Sequence, residues 1–251
     1  MYHFEKFSAY TSIKHFVSGR QGGVSFGEKT SLNLSFSVKD LPENVERNRL
    51  IVCEALDTAE ILFPVQVHSN RVLEVNLGNY SSVFTEKADA LITQEPGLCI
   101  AVMAADCVPV LLFDPVRKVI AAVHAGWRGT VSGIVADTLS ILMDNYNSNP
   151  CDIIAGIGPS ISQANYEVGE EVIKAVSGYY GDNSGLFKES INPGKVCLNL
   201  WEANRKQLLD NGIQSQNIEL AGICTYANPD RFFSARRSAL AGRFAAGIMI
   251  L

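Results

Sequence analysis

The sequence predicts an α+β domain with mixed, largely antiparallel sheets that spans residues 1–251. Apolar runs typical of strands interleave with helical segments along the chain, which predicts both element types in one fold. Several runs are separated only by short polar breaks, and such breaks indicate hairpins rather than the long crossovers that parallel strands need. No linker, repeat or low-complexity tract divides the chain, so we expect one domain.

Composition and charge narrow the classes of function. Hydrophobic residues make up 47% of the chain, charged residues 19%, and the net charge is −5, values typical of a globular domain. No basic stripe is present, so we expect no nucleic-acid partner. No apolar run has the length of a membrane span and the N-terminus lacks a signal-peptide pattern, so we expect no membrane contact and a cytoplasmic location. The six cysteines form no C-x-x-C pair and are mostly expected to be reduced core residues.

The first part of the chain predicts short strands and turns, followed by a helix. A glycine-rich loop at residues 19–25 precedes the motif at 31–34, and glycine lets the backbone approach a ligand closely. The helix is expected to start with Asp40 as its cap and Pro42 in its first turn. Arg49 falls on its inward face and therefore needs an anionic partner, either a structural carboxylate or a substrate phosphate.

The stretch 99–130 is where we expect the site to form. Two apolar runs flank a polar break at 114–118, which predicts an antiparallel hairpin. Paired residue numbers should then sum to about 231–233, and at the lower value Cys107 lies opposite His124. Opposed Cβ atoms are roughly 5 Å apart, so this register brings a thiol and an imidazole together, whereas a slip by one residue separates them.

The flanking segments predict the remaining elements. Residues 61–75 are expected to form two strand segments around His68, and another strand is expected at 87–93. Helices are expected over residues 130–145, 166–180 and 201–211, a strand over 153–157, and a final strand pair over 220–225 and 245–251.

Cys107, His124 and His68 supply one thiolate and two imidazoles. This set suits zinc with one position left for water or substrate, although the spacings are not those of a zinc finger or ribbon. Two alternatives remain open: a nucleophilic Cys-His pair in which His124 lowers the thiol pKa, and a core cysteine with structural histidines.

Arginines near glycine-containing turns and helix ends give a second indication. Guanidinium groups bind phosphate oxygens, and Arg128 stands at the start of a predicted helix, where anions are favoured. The arginines therefore indicate a phosphate-bearing reaction. With the asparagine of the 31–34 motif included, the residues expected to bind substrate or phosphate are Arg20, Asn33, Arg49, Arg128 and Arg236.

A series of motifs in order along the chain resembles one family. They are GRQGGVS, SLNL, NRL at 48–50, QVHSNRV, KADALIT, AADCVPVLLFD, AAVHAGWRGT, IGPSIS with NYEVG, and CTYANPDRFFSARR with AGR. The resemblance is to the YfiH-like family, long labelled laccase-domain or polyphenol oxidase. Its members are understood as zinc-bound purine nucleoside phosphorylases, some with adenosine deaminase and methylthioadenosine phosphorylase activity.

The resemblance implies roles for particular residues. His68, Cys107 and His124 would be both metal ligands and catalytic residues, with zinc as the metal and copper as the alternative, and the substrates would be a purine nucleoside and phosphate. It also implies a layered α/β fold similar to the Cys-His catalytic domain of a deamidating bacterial toxin. Asn199 departs from the aspartate that the family motif has, but asparagine also caps helices.

The residues present bear on two activities that the resemblance suggests, oxidation and deamination. The chain has four histidines, too few for a complete multicopper centre, although a single copper at the His-Cys-His site stays an alternative. The zinc deaminase signature, H-x-E with P-C-x-x-C, is absent. The alternatives to a phosphorylase are therefore a metal-free Cys-His hydrolase and a single-copper oxidase.

Overall fold

The computed structural model describes residues 1–182 and 185–251. The helices are α1 (Glu5–Ser8), α2 (Pro42–Leu56), α3 (Trp127–Val131), α4 (Ile134–Tyr146), α5 (Glu170–Tyr180) and α6 (Leu200–Asp210). The strands are β1 (Ile13–Val17), β2 (Ile61–Leu62), β3 (Val72–Glu74), β4 (Ala90–Thr93), β5 (Cys99–Ala104), β6 (Val108–Asp114), β7 (Val119–Ala125), β8 (Ile154–Ile157), β9 (Glu167–Val168), β10 (Phe187–Glu189), β11 (Val196–Leu198), β12 (Ile218–Leu220) and β13 (Phe244–Ile250). No described helix is long and apolar enough to cross a lipid bilayer.

The strands form sheets of mixed direction, as the sequence predicts. The largest has the order β12-β8-β6-β7-β4-β3, a four-stranded sheet has the order β1-β13-β5-β2, and a small one has the order β10-β11-β9. Most neighbours are antiparallel, whereas β12 and β8, β3 and β4, and β2 and β5 are parallel.

The two larger sheets stack face to face, and each is covered by helices on its outer face. Alternate strand residues point to opposite faces, so Ile100 and Val102 of β5 meet Leu111 and Phe113 of β6 in the core between the sheets. Ala101, on the opposite face of β5, packs with residues of α2. The outer face of the six-stranded sheet packs with α4 and α6. The result is a layered helix–sheet–sheet–helix arrangement.

The apolar run that the sequence presents as one strand is two strands in different sheets. β5 ends at Ala104 and belongs to the four-stranded sheet, and β6 begins at Val108 in the six-stranded sheet. Between them Asp106 adopts a positive φ of 88°, which turns the chain from one sheet to the other. Its carboxylate accepts hydrogen bonds from the Thr225 hydroxyl at 2.6 Å and the Ser234 hydroxyl at 2.9 Å.

The predicted hairpin forms between β6 and β7, but in the upper register. Pro109 pairs with His124 and Val108 with Ala125. The expectation that Cys107 lies opposite His124 is therefore wrong, because Cys107 precedes the strand.

Other boundaries also differ from the expectations. The helix predicted over 130–145 is divided into α3 and α4 by Gly133, which has a φ of 82°. Asp40 does not cap α2; it accepts a hydrogen bond from its neighbour Leu41. The final strand pair predicted over 220–225 and 245–251 does not form: β12 ends at Leu220 in the six-stranded sheet, and β13 lies in the four-stranded sheet. The Asn199 cap is present, since its side-chain oxygen accepts from the Glu202 amide at 3.1 Å.

Candidate functional site

The structure brings His68, Cys107 and His124 together where the chain passes between the two larger sheets. His68 lies between β2 of the four-stranded sheet and β3 of the six-stranded sheet, and Cys107 lies between β5 and β6. His124 is near the end of β7. Their ligand atoms all lie within 4.8 Å of one another, and Cys107 Sγ is 3.8 Å from His68 Nε2. The sheet crossings, rather than the hairpin register alone, create this convergence.

A buried carboxylate, Asp89, contacts both histidine segments. Its Oδ1 accepts hydrogen bonds from His124 Nδ1 at 2.9 Å and from the His68 amide at 3.0 Å. Its Oδ2 accepts from the Ser69 amide at 2.7 Å, the Ser69 hydroxyl at 2.8 Å and the Val67 amide at 3.2 Å. Burial alone would raise the pKa of Asp89, but the hydrogen bonds from His124 and Ser69 outweigh burial and lower it to about 2. Asp89 is therefore ionised at neutral pH.

Cys107 and His124 influence each other's protonation. Burial would raise the pKa of the Cys107 thiol, but His124 and His68 together lower it. Burial would lower the pKa of His124, but Cys107 and Asp89 together raise it. The pair thus favours the thiolate, which is the form of cysteine that binds metals and acts as a nucleophile.

Gly126 makes room for the three side chains. A Cβ atom at this position would lie 2.9 Å from His68 Cδ2 and 3.0 Å from Cys107 Sγ. The backbone of Gly126 has φ −70° and ψ 168°, which any residue can adopt. Space, rather than backbone conformation, therefore requires glycine here.

The donor set and its dimensions fit a metal ion. In tetrahedral zinc sites nitrogen and sulfur ligands stand roughly 3.3–3.7 Å apart, close to the 3.8 Å between Cys107 Sγ and His68 Nε2. Two imidazoles and one thiolate also match the preference of zinc and copper for nitrogen and sulfur ligands. His68, Cys107 and His124 would hold the ion and leave one position for another ligand.

A cleft of about 480 Å³ opens beside the three residues, and arginines and aromatic rings line it. The Arg49 guanidinium lies between the rings of Phe36 and Phe63, 4.6 Å from each centroid. Arg243 lines the same cleft. Within residues 1–182 and 185–251, neither arginine forms an ion pair with a carboxylate. Burial lowers the pKa of Arg49 to about 10, yet both arginines stay charged at neutral pH and can bind an anion.

Comparison with known proteins identifies the family. A protein-family model described as multi-copper polyphenol oxidoreductase laccase matches residues 14–251. The purine nucleoside phosphorylase YfiH of Escherichia coli is 35% identical over 93% of this chain and 92% of its own length. The chain belongs to the YfiH-like family. A purine nucleoside phosphorylase of Bacteroides thetaiotaomicron is 43% identical, over 98% of this chain and 95% of its own length.

Solved structures of YfiH-like proteins have the same fold. YfiH of Bacillus licheniformis superposes with a TM-score of 0.92 at 34% identity, covering 98% of this chain and 95% of that chain. YlmD from Geobacillus stearothermophilus superposes with a TM-score of 0.90 at 31% identity, covering 98% and 94%. The mixed α+β fold with mixed sheets is therefore that of the family.

In this YfiH-like chain, two of the residues expected to bind substrate form hydrogen bonds with loop backbone and lie outside the cleft lining. The Arg20 side chain donates to the carbonyl oxygens of Thr30 and Pro229, each at 2.8 Å. Asn33 is fully buried, and its side-chain oxygen accepts from the Arg243 amide at 2.9 Å. Neither residue lines the cleft, but Asn33 holds the backbone of Arg243, which does line it.

Arg128 and Arg236 also lie outside the cleft lining. Arg128 pairs with Glu171 at 3.1 Å and stacks on its neighbour Trp127. Arg236 donates to the Glu167 carbonyl at 3.0 Å and lines a separate polar cavity of about 520 Å³. Of the arginines expected to bind phosphate, the cleft contains Arg49.

The sequence analysis did not single out several residues that line the cleft. Gln66 forms two hydrogen bonds of 2.8 Å with the backbone of Met103, which fixes the cleft wall next to His68. Gln66 and Arg243 belong to family motifs, so their positions carried a weak signal. Phe36 begins a short 3-10 helix, whereas Phe63 and Phe84 lie in two separate connecting segments, and no local pattern indicates that the three meet.

Proposed function

We propose that the cleft binds a purine nucleoside and inorganic phosphate and that this chain is a purine nucleoside phosphorylase, producing the free base and ribose 1-phosphate. The observation that carries this proposal is that Arg49 and Arg243 share one cleft with aromatic rings beside the His-Cys-His group, and that neither forms an ion pair within the part of the chain that the structure describes. The names of the curated relatives support the reaction class.

We assign the anion to the arginines and the base to the apolar part of the cleft. Arg49 and Arg243 hold phosphate through charge-assisted hydrogen bonds, and Phe84 offers a ring face to the purine. A phosphate oxygen bonds to the anomeric carbon while the bond from that carbon to the purine nitrogen breaks. The electron pair of the broken bond goes to the purine nitrogen, which takes a proton from solvent. The chain contributes mainly by holding both reactants in this order.

We propose zinc as the resident metal, held by His68, Cys107 and His124, with copper as the alternative. When bound, the ion supplies a Lewis-acidic positive charge at one end of the cleft. Copper generally binds nitrogen and sulfur ligands more tightly than zinc, so the metal has to be identified by elemental analysis of protein purified without added metal. A value near one equivalent of zinc per chain is expected.

We propose that residues 1–251 act as one phosphorylase domain, and that adenosine, inosine and methylthioadenosine are candidate substrates. Hydrolytic deamination of adenosine is a candidate second activity. We also propose a cytoplasmic location and a fold similarity to the toxin domain.

The deciding experiment follows the products of purified protein with inosine. With phosphate present, hypoxanthine and ribose 1-phosphate are expected in equal amounts, and no base should form without phosphate. Free ribose formed at the same rate with and without phosphate would overturn the proposal. With adenosine, adenine indicates phosphorolysis, whereas inosine and ammonia indicate deamination.

A metal-free Cys-His hydrolase is the second candidate, and the lowered pKa of Cys107 beside two histidines favours it. The two candidates respond differently to reagents. A hydrolase of this kind would lose activity with iodoacetamide and keep it with a strong chelator, whereas the phosphorylase with resident zinc is expected to lose activity with the chelator.

A further inference from the structure

We propose that Asp89 is the positioning residue for both histidine ligands: it folds the turn that presents His68 and it selects the ring nitrogen with which His124 faces the ion. This inference rests on the metal-binding part of the proposed function and is independent of the reaction catalysed. It concerns a residue of the KADALIT motif that lies on no cleft surface, since Asp89 is fully buried.

Every group that forms a hydrogen bond with the Asp89 carboxylate is a donor. Its two oxygens accept from the amides of Val67, His68 and Ser69, from the Ser69 hydroxyl and from His124 Nδ1. A carboxylate satisfies all of these donors, because it offers only acceptor sites. An amide of the same shape has one oxygen, so its NH₂ group would face at least one donor whichever way it turned.

The contact with Asp89 fixes the tautomer of His124. The ring nitrogen 2.9 Å from Asp89 Oδ1 is Nδ1 of His124, and a carboxylate whose other hydrogen bonds all come from donors offers this nitrogen only an acceptor, so Nδ1 carries the proton. The Nε2 atom then faces Cys107 and His68. A hydrogen bond at the far nitrogen commonly orients metal-binding histidines and increases their affinity for the ion.

Asp89 also accounts for the backbone conformation of His68. Its φ of 61° lies in the left-handed region, which costs free energy for a residue with a Cβ atom. This conformation turns three successive amides, those of residues 67–69, toward the same carboxylate. Without that anion nothing offsets the cost, so the turn should relax and move the His68 ring away from Cys107.

The test compares Asp89→Asn with Ser69→Ala in the full chain. Ser69→Ala removes one donor to Asp89 at 2.8 Å and leaves the His124 contact intact, so it is the matched control. Zinc affinity is measured by competition with a chromophoric chelator. Asp89→Asn is expected to bind zinc about 10–100-fold more weakly, and Ser69→Ala less than about threefold more weakly. Wild-type affinity in Asp89→Asn, or an equal loss in both variants, would overturn the proposal.

A second measurement covers the case in which Asp89→Asn does not fold. In the zinc-loaded wild-type chain, ¹⁵N NMR of the imidazoles is expected to show a proton on His124 Nδ1 and the ion on Nε2. Zinc on Nδ1 would contradict the proposal, because that nitrogen would then be unable to donate to Asp89. Both readouts are independent of turnover, so a chain with the expected zinc binding but no phosphorolysis would reject the proposed reaction alone.

Discussion

The chain has two pairs of histidines whose rings meet edge to face, one near the N-terminus and one beside the cleft. The rings of His3 and His15 are 5.3 Å apart at 87°, and those of His68 and His124 are 4.8 Å apart at 76°. His15 and His124 are both buried. Ring geometry and burial are therefore nearly the same in the two pairs, and the difference between them comes from their partners.

The N-terminal pair is held by backbone groups. His15 Nε2 accepts a hydrogen bond from the Phe4 amide at 2.8 Å, and His3 Nδ1 contacts the His15 carbonyl at 2.8 Å. Burial, together with the charge of His3, lowers the pKa of His15 to about 4. At the cleft, by contrast, the Asp89 carboxylate and the Cys107 thiolate raise the pKa of His124. Anionic neighbours thus distinguish a candidate metal site from a structural histidine pair.

The largest expected effect is the removal of the thiolate. Cys107→Ala deletes the anionic ligand, so zinc content should fall from about one equivalent per chain to less than about a tenth, with loss of phosphorolysis. His3→Ala is the control. His3 is the exposed member of the N-terminal pair, so this variant should retain both the zinc content and the phosphorolysis of wild type. Elemental analysis and the product assay on the same samples check this. Full metal content in Cys107→Ala would show that the comparison of the two pairs is mistaken.

The second largest effect is expected from removing the positive charge of Arg49 from the cleft. Arg49→Gln removes charge-assisted hydrogen bonds worth about 1.5–3 kcal/mol, so the KM for phosphate should rise roughly 10–100-fold. The KM for the nucleoside should change much less. Arg47→Gln is the control, because Arg47 lies on the same helix but is exposed and pairs with Glu54. A nucleoside KM that rises as much as the phosphate KM would reassign Arg49 to the nucleoside.

A methyl group added at Gly126 tests how closely the side chains of His68 and Cys107 must approach each other. The new Cβ would lie within 3.0 Å of His68 and Cys107, and overpacking of this kind typically costs about 1–3 kcal/mol. Zinc affinity in Gly126→Ala should therefore fall by about tenfold. Gly169→Ala is the control, because Gly169 also precedes a helix in an extended conformation and has open space around it. An unchanged chelator competition curve for Gly126→Ala would refute this account.

The smallest effect concerns the N-terminal pair and pH. The folded pKa of His15 is about 4, below its ordinary 6.5, so the unfolded chain takes up the proton first as the pH falls. Stability present above pH 6.5 is then lost between about 6.5 and 4. Between pH 7 and pH 4.5, wild type should lose about 1–2 kcal/mol more than His15→Gln. His3→Gln should lose slightly less than wild type, because burial, the larger cause of the lowered pKa of His15, is kept and the charge of His3 is removed. Urea denaturation checks this, and parallel losses in wild type and His15→Gln would be the contrary result.

Local chemistry predicted much of the fold, and long-range contacts account for what was missed. The helical period placed Arg49 on an inward face, and the Asn199 cap depends on a residue three positions away. The division between β5 and β6 left no trace in the sequence, because both strands are apolar on both faces. The turn at Asp106 depends on Thr225 and Ser234, far along the chain. A periodic pattern in the sequence gives no information about partners that are so distant along the chain.

The candidate site, like the fold, could be predicted from the sequence only in part. The residue types of His68, Cys107 and His124 indicated a metal, but their convergence depends on where the chain crosses between sheets. Arg20 and Asn33 belong to two motifs, GRQGGVS and SLNL, that indicated substrate binding, and in the structure both form hydrogen bonds with loop backbone outside the cleft lining. Arg243 faces the cleft because β13 is the partner of β5, and that pairing joins distant parts of the sequence.

The position of the ligands at the sheet crossings has a thermodynamic consequence. His68 and Cys107 each lie where the chain leaves the four-stranded sheet, and His124 belongs to the six-stranded sheet. An ion bound by all three would join the two halves of the central core, so its binding free energy would be shared with their association. A substitution that weakens the association of the two sheets, even one far from the cleft, would then also weaken binding of the ion. The loss in binding free energy would equal the free energy by which the ion stabilises the core.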